Sequence, residues 1–388
     1  MSSTDFGKRP FCVGLVLPYL KSRGTEKQAL QLARGFLGKG ARVVVFVVQG
    51  WGLDAMYQAF SEVGARVVDV GPPLHVGEKD ARFSRVVALA RLVRQLGCDV
   101  LLSRAGMTNR IAGYAGRLAF VPATVVISGP VRRRPANNNT FRRLVSSARI
   151  AYTYGFPQRV VTVSAEAAVS FSASYPWFSK RVFGIRNGVD VPGLHSHAEP
   201  PFVLDTAKFS ICYSGSLEMK RKGLDVLIQA IKSVVFERGQ LQVSLVLIGT
   251  GEDEQRLREM VRDAELGGHV VFAGEQDDPY PIMAQCSAFV LPSRAEGLPN
   301  ALLEAMALGL CTISADCDTG PREVISDGEN GLLVPVNDSK SLANAIVRVL
   351  RDGSLRERLG RNGRETVRER FSRQAMIDSY YELLSGLT

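Results

Sequence analysis

An α/β protein built from two doubly wound parallel sheets is the fold this chain predicts. Three observations carry the expectation. Short runs rich in Val, Ile and Leu recur at strand length, with helix-length stretches between them. The alternation starts near residue 11, breaks in a Pro- and Gly-rich stretch near the middle of the chain, and starts again. At 388 residues the chain is also too long for one ordinary core, so two domains are expected.

Taken in order, "FCVGLVLP" is the first buried strand. The loop "YLKSRGTE", the helix "KQALQLARGFLGKG" and the strand "ARVVVFVV" follow it. "ARVVDV", "CDVLLS", "ATVVIS" and "RVVTVS" continue the first set of strands. "RNGVDVPGLHSHAEPPFVLDTAK" reads as a linker near residues 188–207. The pattern then restarts with the strand "FSICYSG", the loop "SLEMKRKG" and the helix "LDVLIQAIKSVVFE", which begins at Gly223. "VSLVLIG", "HVVFAG", "AFVLPS" and "CTISA" are its further strands, and the stretch from Asp338 onward is helical by pattern. Two Rossmann-like domains facing one another across a cleft are expected. Open sheets of this kind bind ligands at the carboxyl ends of their strands.

Composition narrows the class. With 46% hydrophobic and 22% charged residues the chain reads as globular, and no apolar run is long enough to cross a bilayer, which needs about 20 residues. "MSSTDFGKRPFCVG" lacks the apolar core of a secretory signal. The six cysteines form no C-x-x-C pair and lie in or beside apolar runs, as reduced core thiols of a cytoplasmic protein do. A net charge of +10 points to an anionic partner; nucleic acid, anionic lipid and nucleotide-sugar phosphates all fit. The sharpest asymmetry is the run 131–159, with seven arginines, no lysine and no acid.

The loops after the strands hold the candidate chemistry. "SRGTEKQ" places Gly24 at a strand-to-helix turn, either cradling an anion or making a plain turn capped by Thr25. No G-x-G-x-x-G follows any strand, which disfavours a nicotinamide dehydrogenase. "YSGSLEMKRKG" sets Lys220, Arg221 and Lys222 before Gly223, as diphosphate partners or as a solvated turn. "GTGED" is a turn into a helix, and "DCD" (316–318) imitates a short metal motif without a supporting ligand cluster. "SRAEGLPNALLEAMALG" puts Glu296 and Glu304 eight positions apart around a Gly-Leu-Pro-Asn turn.

In that order these pieces resemble the retaining glycosyltransferases of family four, which have the GT-B fold. "PSRAEGLPNALLEAMALG" is similar to the family's E-x7-E signature. "GTEKQALQLARGF", "NGVD" (187–190), "GSLEMKRKGLDVLIQA" and "DTGPREVISDGENGLLV" are supporting matches. The resemblance implies that Glu296 hydrogen-bonds donor-sugar hydroxyls and that Glu304 takes both ribose hydroxyls of the nucleotide. It implies that Lys222 neutralises the leaving diphosphate, with Gly297 and the N–H groups of Leu298, Asn300 and Ala301 touching sugar and phosphates. Gly24 would let the first domain close over them, and the base would lie near "FAGEQDD", beside Gly274 and Glu275. The implied organisation is an acceptor-binding domain over 1–190, a nucleotide-sugar domain over 191–370, and a C-terminal helix, 371–388, crossing back to the first.

Two positions depart from the family pattern. Ser216 stands where an arginine often follows the loop glycine, so either Arg221 supplies that charge or Lys222 acts alone. Ser128 and Gly129 stand where the first domain often carries a histidine, which favours front-face transfer without a protein base. The implied reaction moves a hexose or N-acetylhexosamine from a nucleotide diphosphate sugar, UDP-linked on the weak cue "GPRE", to a glycan or lipid-linked acceptor. No metal or other cofactor is expected. A nucleotide-sugar 2-epimerase of the same fold is the alternative, and a basic nucleic-acid-binding protein a weaker one. The run Arg132–Arg149, with Phe141, Leu144, Val145 and Ile150 at helical spacing, reads as an amphipathic basic helix. It would lie on an anionic membrane surface at the inner face, or pack its apolar stripe on the domain core.

Overall fold

The computed structural model describes residues 9–20, 24–49, 55–71, 80–104, 106–128, 152, 157–189, 199–205, 207–239 and 242–388. Gly129 and the run Arg132–Arg149 lie outside the described residues. The chain forms two compact units: residues 1–186 with 374–388, and residues 187–373.

The first unit is a seven-stranded parallel sheet: β1 (Cys12–Leu17), β2 (Arg42–Val47), β3 (Arg66–Asp69), β4 (Val100–Ser103), β5 (Ala123–Ile127), β6 (Arg159–Thr162) and β7 (Val182–Gly184). Their order across the sheet is β3-β2-β1-β4-β5-β6-β7. All six residues of β1 are buried, as a central strand covered on both faces requires. The core gathers around Phe46, Leu89, Leu101, Ile111 and Ala115. The helix Gly24–Gly38 starts at Gly24 itself, so this glycine is its first helical residue and not a residue of the preceding loop.

The chain's last helix, Arg373–Ser385, completes this unit. Tyr381 meets Phe11 edge-on at 5.9 Å and Phe36 at 6.1 Å. Tyr380 is fully buried, and its hydroxyl accepts from Arg104 Nη1 at 3.1 Å. Arg104 follows β4 and is itself only 2% exposed.

The second unit is a six-stranded parallel sheet: β8 (Phe209–Ser214), β9 (Val243–Ile248), β10 (Val270–Gly274), β11 (Ala288–Leu291), β12 (Cys311–Ala315) and β13 (Leu332–Val334). The order is β10-β9-β8-β11-β12-β13, so it reverses between β8 and β11. Asp338 and Asp352 cap the helices Ser339–Arg351 and Gly353–Arg370 by accepting from the N–H groups of Ser341 and Leu355.

Three local expectations are corrected here. "SLEMKRKG" is not all loop: Met219–Lys222 form one helical turn, and Gly223 closes it at φ 65°. The next helix begins at Leu224, one residue later than read, and its end widens into a π turn over Ser233–Glu237. The three-residue strands β7 and β13 also join the sheets. All six cysteines are free and buried. Among the described residues no helix is long and apolar enough to cross a membrane.

Candidate functional site

In an open parallel sheet the loops on either side of the order reversal diverge and leave a crevice. In the second unit those are the loops after β8 and β11, and they carry Lys222 and Glu296. Lys222 ends the turn Met219–Lys222. Gly223 then turns the chain in the left-handed region, where a Cβ would stand 2.1 Å from the Pro292 carbonyl oxygen. Only glycine lets the two loops come this close.

The two side chains meet in a nearly dry setting. Lys222 Nζ lies 2.6 Å from Glu296 Oε1, with the side chains 14% and 8% exposed. Ser293 Oγ donates to the same oxygen at 2.6 Å. The backbone around Glu296 is pinned as well. Thr319 Oγ1 donates to the Glu296 carbonyl at 2.5 Å, and Gly320, at φ 92°, passes so near the Gly297 carbonyl that a Cβ would be 2.5 Å from it. The "DTG" stretch is thus a brace under the Glu296 turn. Burial, with the Glu296 carboxylate nearby, pushes the Tyr213 phenol up, and the same causes push the Cys317 thiol up to about 12.

Arg294 fastens the two loops together. Its guanidinium donates to Asp225 at 2.9 and 2.7 Å, to the Met219 carbonyl at 2.6 Å and to Asn337 Oδ1 at 2.5 Å. Its N–H donates to the Arg221 carbonyl at 2.9 Å. Burial works against ionisation of Asp225, but the paired Arg294 outweighs it and holds that carboxyl below its ordinary value. Arg221 pairs with Glu218 at 3.0 Å, which lowers the Glu218 carboxyl, and reaches Ser216 Oγ at 3.3 Å. A guanidinium therefore stands beside Ser216, the position where the family pattern has its arginine. Both basic groups, Lys222 and Arg221, are already matched by carboxylates.

The helix Asn300–Ala307 follows the Glu296 turn, with Pro299 before it. Asn300 and Ala301 are its first residues, and such N–H groups have no acceptor within a helix. Asn187 Nδ2 donates to Asn300 Oδ1 at 2.8 Å and fixes that side chain. Glu304 sits one turn further, half-buried, hydrogen-bonded with Tyr280. Burial first, then the Glu304 and Asp278 carboxylates, push the Tyr280 phenol up. Gly274 ends β10 at φ 70°, and Glu275 beside it is exposed. Gly24 belongs to the first unit and is exposed.

Sequence reasoning passed over Arg294, Ser293, Thr319, Tyr280 and Tyr213. It used Asn187 only as part of "NGVD". Asp316 of "DCD" is spent on Arg322, whose Nη2 lies 2.6 Å from Oδ2. A depression of about 390 Å³ borders the Met219–Lys222 turn, lined by Lys220, Asp225, Arg256 and Arg294 among others. It contains neither Glu296 nor Glu304, and no donor role is assigned to it.

Two family models match the chain: "Glycosyltransferase Family 4" over residues 22–191 and "Glycosyl transferases group 1" over residues 198–366. Among curated relatives, the lipopolysaccharide core biosynthesis glycosyltransferase LpsE of Rhizobium meliloti is 36% identical over 198 residues, 51% of this chain and 54% of the relative. A phosphatidyl-myo-inositol mannosyltransferase of Mycobacterium leprae is 36% identical over 192 residues, 47% of this chain and 48% of the relative. The chain spans about half the length of these curated relatives. Among solved structures, Anabaena HepE in complex with UDP and glucose superposes with a TM-score of 0.79 at 19% identity, covering 96% of this chain and 99% of that one. Sucrose-phosphate synthase from Thermosynechococcus elongatus gives 0.76 at 20%, covering 97% and 99%. With both halves matched by such models and both sheets built in this order, the chain belongs to the family-four type of glycosyltransferases of the GT-B fold.

Proposed function

We propose that the protein transfers a hexose or N-acetylhexosamine from a UDP-sugar to a glycan or lipid-linked acceptor, with retention of the anomeric configuration. The observation that carries this reading is the Lys222–Glu296 pair at 2.6 Å, set at the order reversal of the second sheet and followed within one helix by Glu304. UDP and glucose in the HepE complex support the choice of donor. The names of the lipopolysaccharide and phosphatidyl-inositol relatives support the acceptor class.

Each residue then has a task. Lys222 and Ser293 both meet Oε1 of Glu296, which presents Oε2 to the donor sugar. Glu304 accepts from the ribose hydroxyls, oriented by Tyr280. The first N–H groups of the helix Asn300–Ala307 face the diphosphate, and Lys222 turns from Glu296 toward it as the sugar–phosphate bond breaks. Gly274 and Glu275 border the base, and Gly24, the first residue of its helix, keeps the role that the resemblance implies for it. In a front-face transfer the C1–O bond to phosphate breaks and the bond to the acceptor oxygen forms on the same face. The acceptor's proton goes to the departing phosphate oxygen, so no protein base is required.

A cation and a helix terminus suffice to offset the leaving charge, so no metal is needed. Titrating the protein with UDP, then following a panel of UDP-sugars with NMR of the product anomer, tests the reading. A product of inverted configuration, or release of a free 2-epimerised sugar, refutes it. Turnover abolished by EDTA and restored by magnesium or manganese refutes the metal-free part.

A further inference from the structure

In a parallel sheet flanked by helices, helix ends and strand beginnings share one edge. Three helices of the first unit end there in the same way. Past Gly24–Gly38, Ala55–Glu62 and Asp80–Gln95, a left-handed glycine (Gly40, Gly64, Gly97) precedes a residue whose N–H donates back into the helix, Ala41 to Phe36, Ala65 to Phe60 and Cys98 to Val93. The helix Gly106–Ala119 ends with the same bond, Val121 N–H to the Gly116 carbonyl at 2.9 Å. Its left-handed residue is Phe120, at φ 59°. An L side chain resists that conformation, and burial gives nothing in return, because Phe120 is 89% exposed. Leu118 and Trp177 are exposed at the same edge.

The surroundings of that ring are basic. Arg42, Arg66 and Arg159 open β2, β3 and β6, Arg94 and Arg117 lie in the last turns of their helices, and Lys180 precedes β7. Among the described residues the acids of this edge are few: Asp99 is paired with Arg9, Asp378 with Lys39, Glu62 ends its helix, and Glu382 is exposed next to Tyr381. Some of the arginines have a structural task. Arg42 donates to the Leu96 and Gly97 carbonyls, and Arg94 to that of Ala119. Among the described residues Phe120 has no such task; its ring meets the guanidinium of Arg94 at 5.6 Å.

An apolar ring raised above a field of guanidinium groups matches the boundary of an acidic bilayer, with acyl chains for the ring and phosphates for the arginines. We infer that this edge of the first unit docks on an anionic lipid surface with Phe120 inserted. The carboxyl ends of the strands lie at the opposite edge, roughly 20 Å away along a six-residue strand. Resting on the reading of sugar transfer above, the acceptor's reactive end must then stand clear of the lipid, as the tip of a glycan several sugars long does.

The test uses the full chain and vesicles of phosphatidylcholine, with and without about one third phosphatidylglycerol. Co-sedimentation is expected only with the anionic vesicles and should fall as salt rises. Phe120→Gly should lower the bound fraction about tenfold while raising the thermal midpoint, because glycine suits the position. Arg66→Ser with Lys180→Ser should weaken binding by about fivefold per charge. Phe120→Gly protein that binds as well as the unmodified chain overturns the inference and assigns any affinity to another segment. Unmodified protein that ignores anionic vesicles at low salt overturns it too. Transfer to a water-soluble acceptor should be equal in Phe120→Gly, so a failed transfer assay and a failed vesicle assay point to different errors.

Discussion

Lys222→Met is the substitution whose cost the structure defines best. It removes the cation 2.6 Å from Glu296 and leaves in place a carboxylate whose side chain is 8% exposed. Two charges about 4 Å apart attract by about 4 kcal/mol at an effective dielectric of about 20. Breaking a buried pair on one side costs about 3–5 kcal/mol. Ser293 still donates to Glu296, so the lower end applies. A loss of about 3 kcal/mol in a unit of this size lowers its thermal midpoint by roughly 6–12 °C. Glu296→Gln on top of Lys222→Met removes the orphaned charge and keeps the amide oxygen for Ser293. The double variant should therefore regain at least half of the loss. Calorimetry of the four proteins in the cycle measures the coupling. If the double variant loses the sum of the two single losses, the pair does not couple and the account of the site is wrong.

Three further outcomes are expected. Glu304→Ala should weaken UDP binding by about 1.5–3 kcal/mol through lost charge-assisted hydrogen bonds, and unchanged binding in a calorimetric titration would remove the ribose role. Gly223→Ala forces a Cβ to within 2.1 Å of the Pro292 carbonyl at φ 65°. It should lower both the thermal midpoint and UDP affinity, and a variant equal to the parent in both would refute the close approach of the loops. Asp225, held below its ordinary value by Arg294, contributes stability above about pH 3.9 that is lost as pH falls through its lower folded value. The midpoint gap between the parent and Asp225→Asn should then stay constant from pH 8 to 5 and close only in stronger acid; a gap that narrows between pH 8 and 5 contradicts the pairing.

Strands such as β1 and β9 could be read in advance because a run buried on both faces must be continuously apolar. That a helix starts between Glu296 and Glu304 could be read from the Gly-Leu-Pro-Asn turn, while the roles of Glu296, Glu304 and Lys222 come from the resemblance. The turn Met219–Lys222 could not be read, since four residues are too few to show a period. β7 and β13 failed for the same reason, at three residues each. Arg294 and Thr319 were invisible for another reason. Their work is done across 69 and 23 positions, on Asp225 and on the Glu296 carbonyl, and no local pattern encodes a contact at that distance. Phe120 is the instructive opposite case. The local pattern calls for a glycine there, and only the structure shows that the phenylalanine obeys the same backbone geometry.

The helix Arg373–Ser385 places a constraint on the order of synthesis. Arg104 emerges from the ribosome early, but Tyr380, which hydrogen-bonds it, is made only after the second unit. Phe11 and Phe36 likewise wait for Tyr381. The whole of the second unit, residues 187–373, must be translated in between. At about 5–20 residues per second that is an interval on the order of 10–40 s, in which the first sheet carries an uncovered groove. During that time the nascent chain is a client for chaperones and a target for proteases. A stop codon shortly before Tyr380 would leave the second unit whole and the first one open. Moving Gln374–Thr388 to the front of the chain by circular permutation would put the lid on the ribosome before the groove, and the first unit could then close while the second was still being made.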